Sequence, residues 1–207
     1  MEAFEYATDL SERARLAGAV NALKFEGERI YADNFDGVGL VNDIQRNLGF
    51  SLEGRRVLLL GAGGAARGAV LPILEQSPAT LVIANRTLQR AEALKMQFAG
   101  DDRIQVCRLQ DLAEQKFDVV LNATSASLRG ELPAVRADIF SPDGLAYELA
   151  YGKGLTPFLR LAKGAGVTQL ADGVGMLVEQ AAEAFEWWRG VRPDTKPMIE
   201  ALTIPLV

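Results

Sequence analysis

The 207-residue chain contains no histidine and a single cysteine, Cys107. Without histidine, a serine–histidine or cysteine–histidine nucleophile is excluded within the chain, and so are histidine metal sites. Any proton transfer must then use Asp, Glu, Lys, Tyr or Cys. One cysteine leaves no internal disulfide and no cysteine-based zinc site. There is no long basic run and the formal net charge is −5, which argues against nucleic acid as a partner. The longest apolar segment is broken by Arg67 and by glycines, so no membrane span is expected. The opening Met1-Glu2-Ala3-Phe4-Glu5 is acidic and lacks the charged-then-apolar form of a signal peptide. A soluble, cytoplasmic protein is the expectation.

The chain does have a hydrophobic fraction of 49%, enough for a sizeable core in one large domain or two small ones. A helical pattern runs from Ala3 to about Ala17, with Leu10, Ala14 and Ala17 on one side. Gly18 to Leu23 looks extended, and Glu26-Gly27-Glu28-Arg29 suggests a hairpin turn leading into Ile30-Tyr31-Ala32. After the loop Asn34-Phe35-Asp36-Gly37, a helix is expected from about Val38 to Leu48. From Arg56 onward strands and helices alternate. Candidate strands are 56–60, 80–84, 104–108, 118–122, 145–149 and 167–170, and candidate helices are 64–75, 87–98, 109–114 and 155–164. Alternation at this spacing implies an α/β fold, a Rossmann-type doubly wound parallel sheet. A longer helix is expected from Val174 to Trp188, followed by a tail punctuated by Pro193 and Pro197.

The sharpest local signal is Val57-Leu58-Leu59-Leu60-Gly61-Ala62-Gly63-Gly64-Ala65-Ala66. The apolar run suits a central parallel strand covered on both faces. Gly61 allows a tight turn and Gly63 lets the backbone approach a pyrophosphate. Ala66 is small at the third position of the G-x-G-x-x-G/A pattern, where helix and strand pack closely. The helix starting near Gly64 aims free N–H groups and the positive end of its dipole at the phosphates. A lone glycine triplet also marks ordinary strand-to-helix turns; here the flanking strand and helix supply the context that favours a dinucleotide.

The end of the next strand suggests which dinucleotide. NAD sites place an acid there to accept hydrogen bonds from the ribose hydroxyls. This chain has Asn85-Arg86-Thr87, and no acid follows until Glu92. A carboxylate would repel a ribose 2′-phosphate, whereas a guanidinium grips it with charge-assisted bonds. Arg90 lies one helical turn beyond Arg86, and Thr87 is placed to cap the intervening helix. Two solvated surface arginines are the plain alternative. At the end of the second strand of such a unit, NADP is the favoured cofactor.

Several further segments stand in order along the chain: Leu16-Ala17-Gly18-Ala19-Val20-Asn21, Asp33-Asn34-Phe35-Asp36-Gly37, Asn122-Ala123-Thr124-Ser125, Tyr151 to Phe158, and Ala171 to Gln180. Together with the glycine turn and Asn85-Arg86-Thr87, they resemble the shikimate dehydrogenase family over nearly the whole chain. The resemblance implies a substrate-binding N-terminal domain, an NADP-binding Rossmann-type domain and an active site in the cleft between them. Residues 1–36 would be a remnant of the first domain, residues 37–173 the NADP-binding domain, and the C-terminal helices of 174–207 would pack toward the remnant. The implied reaction is reversible hydride transfer between NADPH and the ring ketone of 3-dehydroshikimate, giving shikimate. Asn21, Asp36, Tyr151 and Gln180 would bind substrate, with Asp36 in the catalytic pair. Gly61, Ala62, Gly63, Gly64, Ala65, Asn85, Arg86, Thr87, Arg90, Thr124, Ser125, Gly173 and Met176 would hold the cofactor, Gly173 and Met176 by the nicotinamide.

Each of these residues also has a structural reading. Asn21 could cap a turn, Asp36 before Gly37 is a common turn pair and helix N-cap, and Gln180 would ordinarily face solvent. On spacing alone Met176, Leu177 and the Trp187-Trp188 pair belong to a core. The sequence also departs from the family. Relatives carry a longer N-terminal region with a serine loop and a lysine acid/base, and the resemblance begins just after that lysine. Asp36 then lacks its catalytic partner, so weak turnover is expected, with a non-catalytic NADP-binding module as the alternative. Surface left bare on helices 3–17 and 174–188 would favour an oligomer. Glu148-Leu149 stands where relatives often have Asp-Met, and Phe35 where a threonine is common. An NAD-preferring quinate/shikimate enzyme is disfavoured by Arg86 and Arg90. A methyltransferase is disfavoured by the lack of an acid after the second strand.

Overall fold

A computed structural model describes residues 2–206. It contains two sheets. The larger has six strands: β4 (Arg56–Leu60), β5 (Thr80–Asn85), β6 (Ile104–Arg108), β7 (Phe117–Asn122), β8 (Phe140–Glu148) and β9 (Gln169–Asp172). Their spatial order is β6-β5-β4-β7-β8-β9, and every pairing is parallel. The order runs outward in both directions from β4 and β7, so a topological switch point lies between those two strands.

Alternation along β4 shows how the sheet is covered on both faces. Val57 and Leu59 join a core with Leu81, Ile83, Val119, Leu121 and Tyr147, beneath α3 (Asp36–Asn42) and α4 (Gly64–Leu74). Leu58 and Leu60 face the other way, into a core with Val82, Val120 and Phe140. That second core is closed by Phe158, Leu159 and Ala162 of α6 (Pro157–Gly164). Thr156 caps α6, its hydroxyl accepting from the Leu159 N–H at 3.2 Å. The period of two on an apolar run is what a parallel strand buried on both faces requires.

The smaller sheet has the order β1-β3-β2, built from β1 (Asp9–Leu10), β2 (Ala22–Glu26) and β3 (Arg29–Asp33). The expected hairpin is present, turning at Gly27 with φ +62°. The expected single helix over 3–17 is not. The chain forms α1 (Glu2–Tyr6), then β1, then α2 (Glu12–Ala17). Backbone N–H groups of Thr8 and Ser11 bond the Ile30 and Ala32 carbonyls at 3.0 Å, which pulls β1 onto β3. Ser11 then caps α2 by accepting from the Ala14 N–H at 3.0 Å. A serine that can start a new helix, beside an open strand edge, outcompetes continuation of the first helix.

Further boundaries differ from expectation; β8 starts at Phe140 instead of 145, and β9 runs over Gln169–Asp172 instead of 167–170. The segment after Gly37 is α-helical only to Asn42 and continues as a π turn over Asp43–Asn47. The expected helix at 109–114 is a 3₁₀ turn, Leu109–Leu112, ended where Ala113 takes ψ 139°, with Glu114 following at φ +67°. A short helix, α8 (Lys196–Leu202), occupies the tail. The long C-terminal helix is present as α7 (Val174–Arg189). The helix that follows β5 is α5 (Leu88–Met96).

Helices α3, α4 and α7 approach through glycines. A Cβ on Gly37 would lie 2.1 Å from the Gly68 carbonyl oxygen, and one on Gly39 would lie 2.7 Å from the Gln180 nitrogen and the Met176 oxygen. Neither obstacle is a flexible side chain, so the helices themselves would have to part. Gly37→Ala is therefore expected to destabilise the fold by about 3 kcal/mol, at the upper end of overpacking costs, as read from the urea midpoint. A loss within the range of an ordinary surface change, below about 0.5 kcal/mol, would contradict this packing.

Candidate functional site

The site grows from the carboxyl ends of β4 and β7. Gly61 leaves β4 at φ +111°, and a Cβ there would meet the Ala123 carbonyl oxygen at 3.0 Å. The Gly61 N–H bonds the Ala84 carbonyl at 2.8 Å, and the Ala123 N–H bonds the Leu60 carbonyl at 2.9 Å, tying the turn to both neighbouring strands. Gly63 is the N-cap of α4, and no atom lies within 4 Å of a Cβ placed on Gly63 or Gly64. The first turn of α4 thus presents bare backbone to open space, as an approaching phosphate requires. Ala66 is fully buried, in keeping with close helix–strand packing, while Ala62 is half-buried and Ala65 exposed.

At the end of β5 the Asn85 amide donates to the Thr87 carbonyl at 2.8 Å, which folds the loop so that Arg86 and Thr87 are exposed. Thr87 occupies the N-cap position of α5, but its hydroxyl makes no capping bond. The expected side-chain cap is therefore absent. The first turn closes instead by the Arg90 N–H on the Thr87 carbonyl at 3.1 Å. Arg90 lines a cavity of about 330 Å³ together with Ala62, Gly63, Arg67, Ala93, Leu94 and Gln97. The structure thus brings Arg90 to the glycine turn, while Arg86 stays outside this cavity. A larger hollow of about 490 Å³ lies farther along the same helices, lined by Glu12, Glu75, Asp101 and Asp102 against one arginine, Arg103. Its charge is wrong for a phosphate.

After β7, the Thr124 backbone N–H and hydroxyl both donate to the Asn122 side-chain oxygen, at 3.1 and 2.7 Å. Ser125 is exposed and accepts from Arg129 at 3.2 Å. Asn122 turns its amide to the buried Glu148 carboxylate at 2.9 Å. Glu148 also accepts from the Ser127 hydroxyl and from Thr156 Oγ1 at 3.2 Å. Burial pushes the Glu148 carboxyl above the usual carboxylate range, and these donors pull it back only in part. Sequence reasoning noted Asn122 and Glu148 separately but missed the hub they form. The available signal was a polar residue ending each of two adjacent apolar strands.

The expected substrate residues converge from three places. Asn21 precedes β2, Asp36 opens α3, and Gln180 lies on α7. The Asn21 amide nitrogen donates to Asp36 at 2.8 Å and to the Gln180 side-chain oxygen at 3.4 Å. Its oxygen accepts from the Phe35 N–H at 3.0 Å. Asp36 is not the N-cap of α3: Phe35 holds that position, and the Asp36 N–H is satisfied by the Asn34 side chain at 3.1 Å. Apart from the Asn21 bond, no hydrogen bond among the described residues engages the Asp36 carboxyl. Gln180 is half-buried and its nitrogen is fixed on the Leu177 carbonyl at 2.9 Å.

Gly173 packs so closely that a Cβ would lie 2.1 Å from the Leu149 carbonyl oxygen. The Met176 N–H donates to the buried Tyr147 hydroxyl at 3.3 Å, and that hydroxyl donates to Asp43 at 2.7 Å. Met176 is half-buried against the core. Of the two tryptophans expected in a core, Trp187 packs there, with its ring edge-on to Phe35 at 5.7 Å. Trp188 is 46% exposed and donates to the Leu23 carbonyl. Tyr151 is exposed in the loop after β8, and no hydrogen bond among the described residues joins it to Asn21, Asp36 or Gln180.

The chain matches family models described as Shikimate / quinate 5-dehydrogenase over residues 43–129 and Shikimate 5'-dehydrogenase C-terminal domain over residues 173–203. It is 54% identical over 202 residues to a protein of Nitrosospira multiformis named Shikimate dehydrogenase (NADP(+)), covering 98% of this chain and 74% of that one. Among solved structures, an Ael1 enzyme from Pseudomonas putida is 61% identical with a TM-score of 0.95, covering 100% of this chain and 76% of that one. Shikimate 5-dehydrogenase of Thermus thermophilus, crystallised with NADP(H) and shikimate, is 32% identical with a TM-score of 0.84, covering 97% and 74%. The chain thus spans about three quarters of the length of these relatives.

Burial raises the Asp36 carboxyl above its ordinary value of 3.8, and the Asn21 bond offsets this only partly. A carboxyl with a raised folded value supports the fold below its unfolded value, and that support is lost as pH rises through the folded value. At about pH 7 the buried charge is a burden on the fold. Asp36→Asn keeps the acceptor for Asn21 and removes the charge. Its melting temperature is expected to exceed wild type near neutrality, with the gain shrinking as pH falls toward 3.8. A gain that grew on acidification would contradict the burial of this carboxylate.

Proposed function

The chain belongs to the shikimate dehydrogenase family, and from that premise we propose that it performs the family reaction. This is reversible, NADPH-dependent reduction of the ring ketone of 3-dehydroshikimate to the shikimate hydroxyl. The observation that carries the proposal is the Asn21–Asp36–Gln180 cluster, in which a half-buried carboxylate, a carboxamide and a second carboxamide meet within hydrogen-bond reach. Three such groups suit a polyhydroxylated ring, since each hydroxyl both donates and accepts. Asp36 would accept from one substrate hydroxyl and orient it, while Asn21 holds the carboxylate in place. Gln180 would contact a neighbouring hydroxyl. Tyr151 would approach the ring from the loop after β8.

The residues present fit NADP. Gly61 to Ala65 would receive the pyrophosphate, Gly61 through the turn it makes and the residues after it through N–H groups at the start of α4; Asn85, Arg86, Thr87 and Arg90 would hold the adenosine phosphate end, and Thr124 and Ser125 would flank the cofactor from β7. Gly173 and Met176 would border the nicotinamide. When bound, the cofactor supplies or takes the hydride. We assign residues 1–36 to the substrate side, 37–173 to the NADP-binding domain, and α7 with the tail to the support between them. A cytoplasmic location fits such a biosynthetic enzyme. No helix among the described residues is long and apolar enough to cross a membrane.

Proton supply is the weak point of the arrangement. Ketone reduction needs a proton for the developing alkoxide. Of the lysines in the sequence, none bonds Asp36 among the described residues, and Lys24 is paired with Glu26 at 2.6 Å. We therefore expect the 207-residue chain to bind NADP and turn over shikimate slowly, as followed by NADPH absorbance. Robust turnover would refute the expected impairment. The competing reading, a non-catalytic NADP-binding module, predicts NADP binding with no turnover at all.

In calorimetry wild type is expected to prefer NADP over NAD. Arg86→Ala should lose about 1.5–3 kcal/mol of NADP affinity, with little change for NAD. Equal binding of both cofactors by wild type would overturn the assignment. Self-association is expected through Phe25 of β2 and Phe185 and Trp188 of α7, which are exposed. A monomeric mass by light scattering would count against it.

A further inference from the structure

We propose that Arg67 is a further specificity-determining residue of the cofactor site, closing with Arg90 on the ribose 2′-phosphate of NADP. This rests on the cofactor reading above and adds a residue that neither the glycine turn nor the Asn85-Arg86-Thr87 segment contains. Arg67 lies one turn into α4, and its side chain lines the same cavity as Arg90, with Ala62 and Gly63 at one end and Gln97 at the other. No carboxylate lines this cavity. Two guanidinium groups facing one small hollow without a counter-charge form a site for an anion.

The hydrogen-bonding state of Arg67 points the same way. Its Nε is buried and has no partner. Arg67, like Arg90, pairs with no carboxylate among the described residues, whereas Arg103 at the neighbouring hollow is paired with Asp101. A buried donor left unsatisfied is costly, and a native structure that keeps one has a reason for it. The shielded Nε cannot itself touch an anion in the cavity; the outer guanidinium nitrogens, which have no carboxylate partner among the described residues, are the donors a phosphate there would meet.

Arg67 also lies beside α2. A Cβ on Gly18, the C-cap of α2, would sit 3.5 Å from its Nη1 and 3.7 Å from its Cζ, an ordinary contact distance.

The location favours the 2′-phosphate over the pyrophosphate. The open backbone at Gly63 and Gly64 lies at the N-terminus of α4, where a pyrophosphate is expected. Arg67 is one turn farther along, and the opposite wall of its cavity is α5, the helix that follows the ribose-recognising end of β5.

The test uses the full chain with two probes, adenosine 2′,5′-bisphosphate and 5′-AMP, titrated by calorimetry. Wild type is expected to bind the bisphosphate more tightly. Arg67→Gln should weaken the bisphosphate about tenfold or more while leaving 5′-AMP within about twofold, and Arg67→Lys should fall between, since it keeps the charge but not the fork. Matching melting curves show that the variants are folded. Equal weakening of both probes, or no weakening of either, overturns the role of Arg67 while the cofactor reading stands. A wild type that does not distinguish the probes overturns both.

Discussion

The site depends on how closely α3 can lie against its neighbours. Gly37 meets the backbone of α4 at Gly68, Gly39 meets the backbone of α7 at Met176 and Gln180, and Gly175 faces the Asp43 carboxylate, which a Cβ there would overlap at 1.9 Å. These contacts leave no room for side chains between the helices, so α3 has little freedom to slide or tilt. Asp36 is the first residue of α3 and Gln180 projects from α7, one turn beyond the Met176 contact. Their meeting with Asn21 is thus a consequence of helix spacing. Because α4 begins at the glycine turn, the same packing also fixes the distance between the Asn21–Asp36–Gln180 cluster and that turn.

A second layer of constraint lies beneath the loops. Tyr147 joins the end of α3, through Asp43, to the start of α7, through the Met176 N–H. Glu148, the next residue on β8, turns to the opposite face and gathers Asn122, Ser127 and Thr156. Adjacent residues on one strand therefore serve the two sides of the sheet. One sets the helices that carry Asp36 and Gln180, and the other sets the loop that carries Thr124. Glu179 and Arg192 continue the first network into the tail, with an ion pair at 2.5 Å and further bonds from Asn47 and Thr195 to Glu179. Buried acids are costly unless they accept several hydrogen bonds, and each of these does.

Much of this was legible in the sequence, for identifiable reasons. The strands 56–60 and 104–108 were placed to the residue because apolar runs flanked by turn residues leave little choice of register. The glycine turn announced itself because only glycine adopts φ +111° against a neighbouring carbonyl at Gly61. What escaped notice depended on partners distant in sequence. The break between α1 and α2 is caused by β3, far along the chain, through backbone bonds that no local pattern encodes. Thr87 had the composition of a cap but lost the role to a tighter first turn. Arg67 looked like an interruption of an apolar segment, and its meaning appeared only once α5 stood opposite it. The pairing of Asn21 with Asp36 was likewise invisible from spacing, since a hairpin lies between them.

The electrostatics raise a last point about how such a chain could hold a polyanionic cofactor. The net charge is −5, so the chain as a whole offers a polyanion no net attraction. Recognition must then be local, from N–H groups at the start of α4 and a few guanidiniums within a Debye length of the phosphates, about 8 Å at physiological ionic strength. That locality divides the groove between α4 and α5 into two parts. Arginines occupy the end beside the glycine turn, and carboxylates from Glu12, Glu75, Asp101 and Asp102 occupy the far end. Gln97 lines both hollows and is neutral. The acidic end repels a phosphate that strays along the groove, so the division confines the anion to the position where Arg67 and Arg90 face it. Selectivity here comes from where charge is absent as much as from where it is placed.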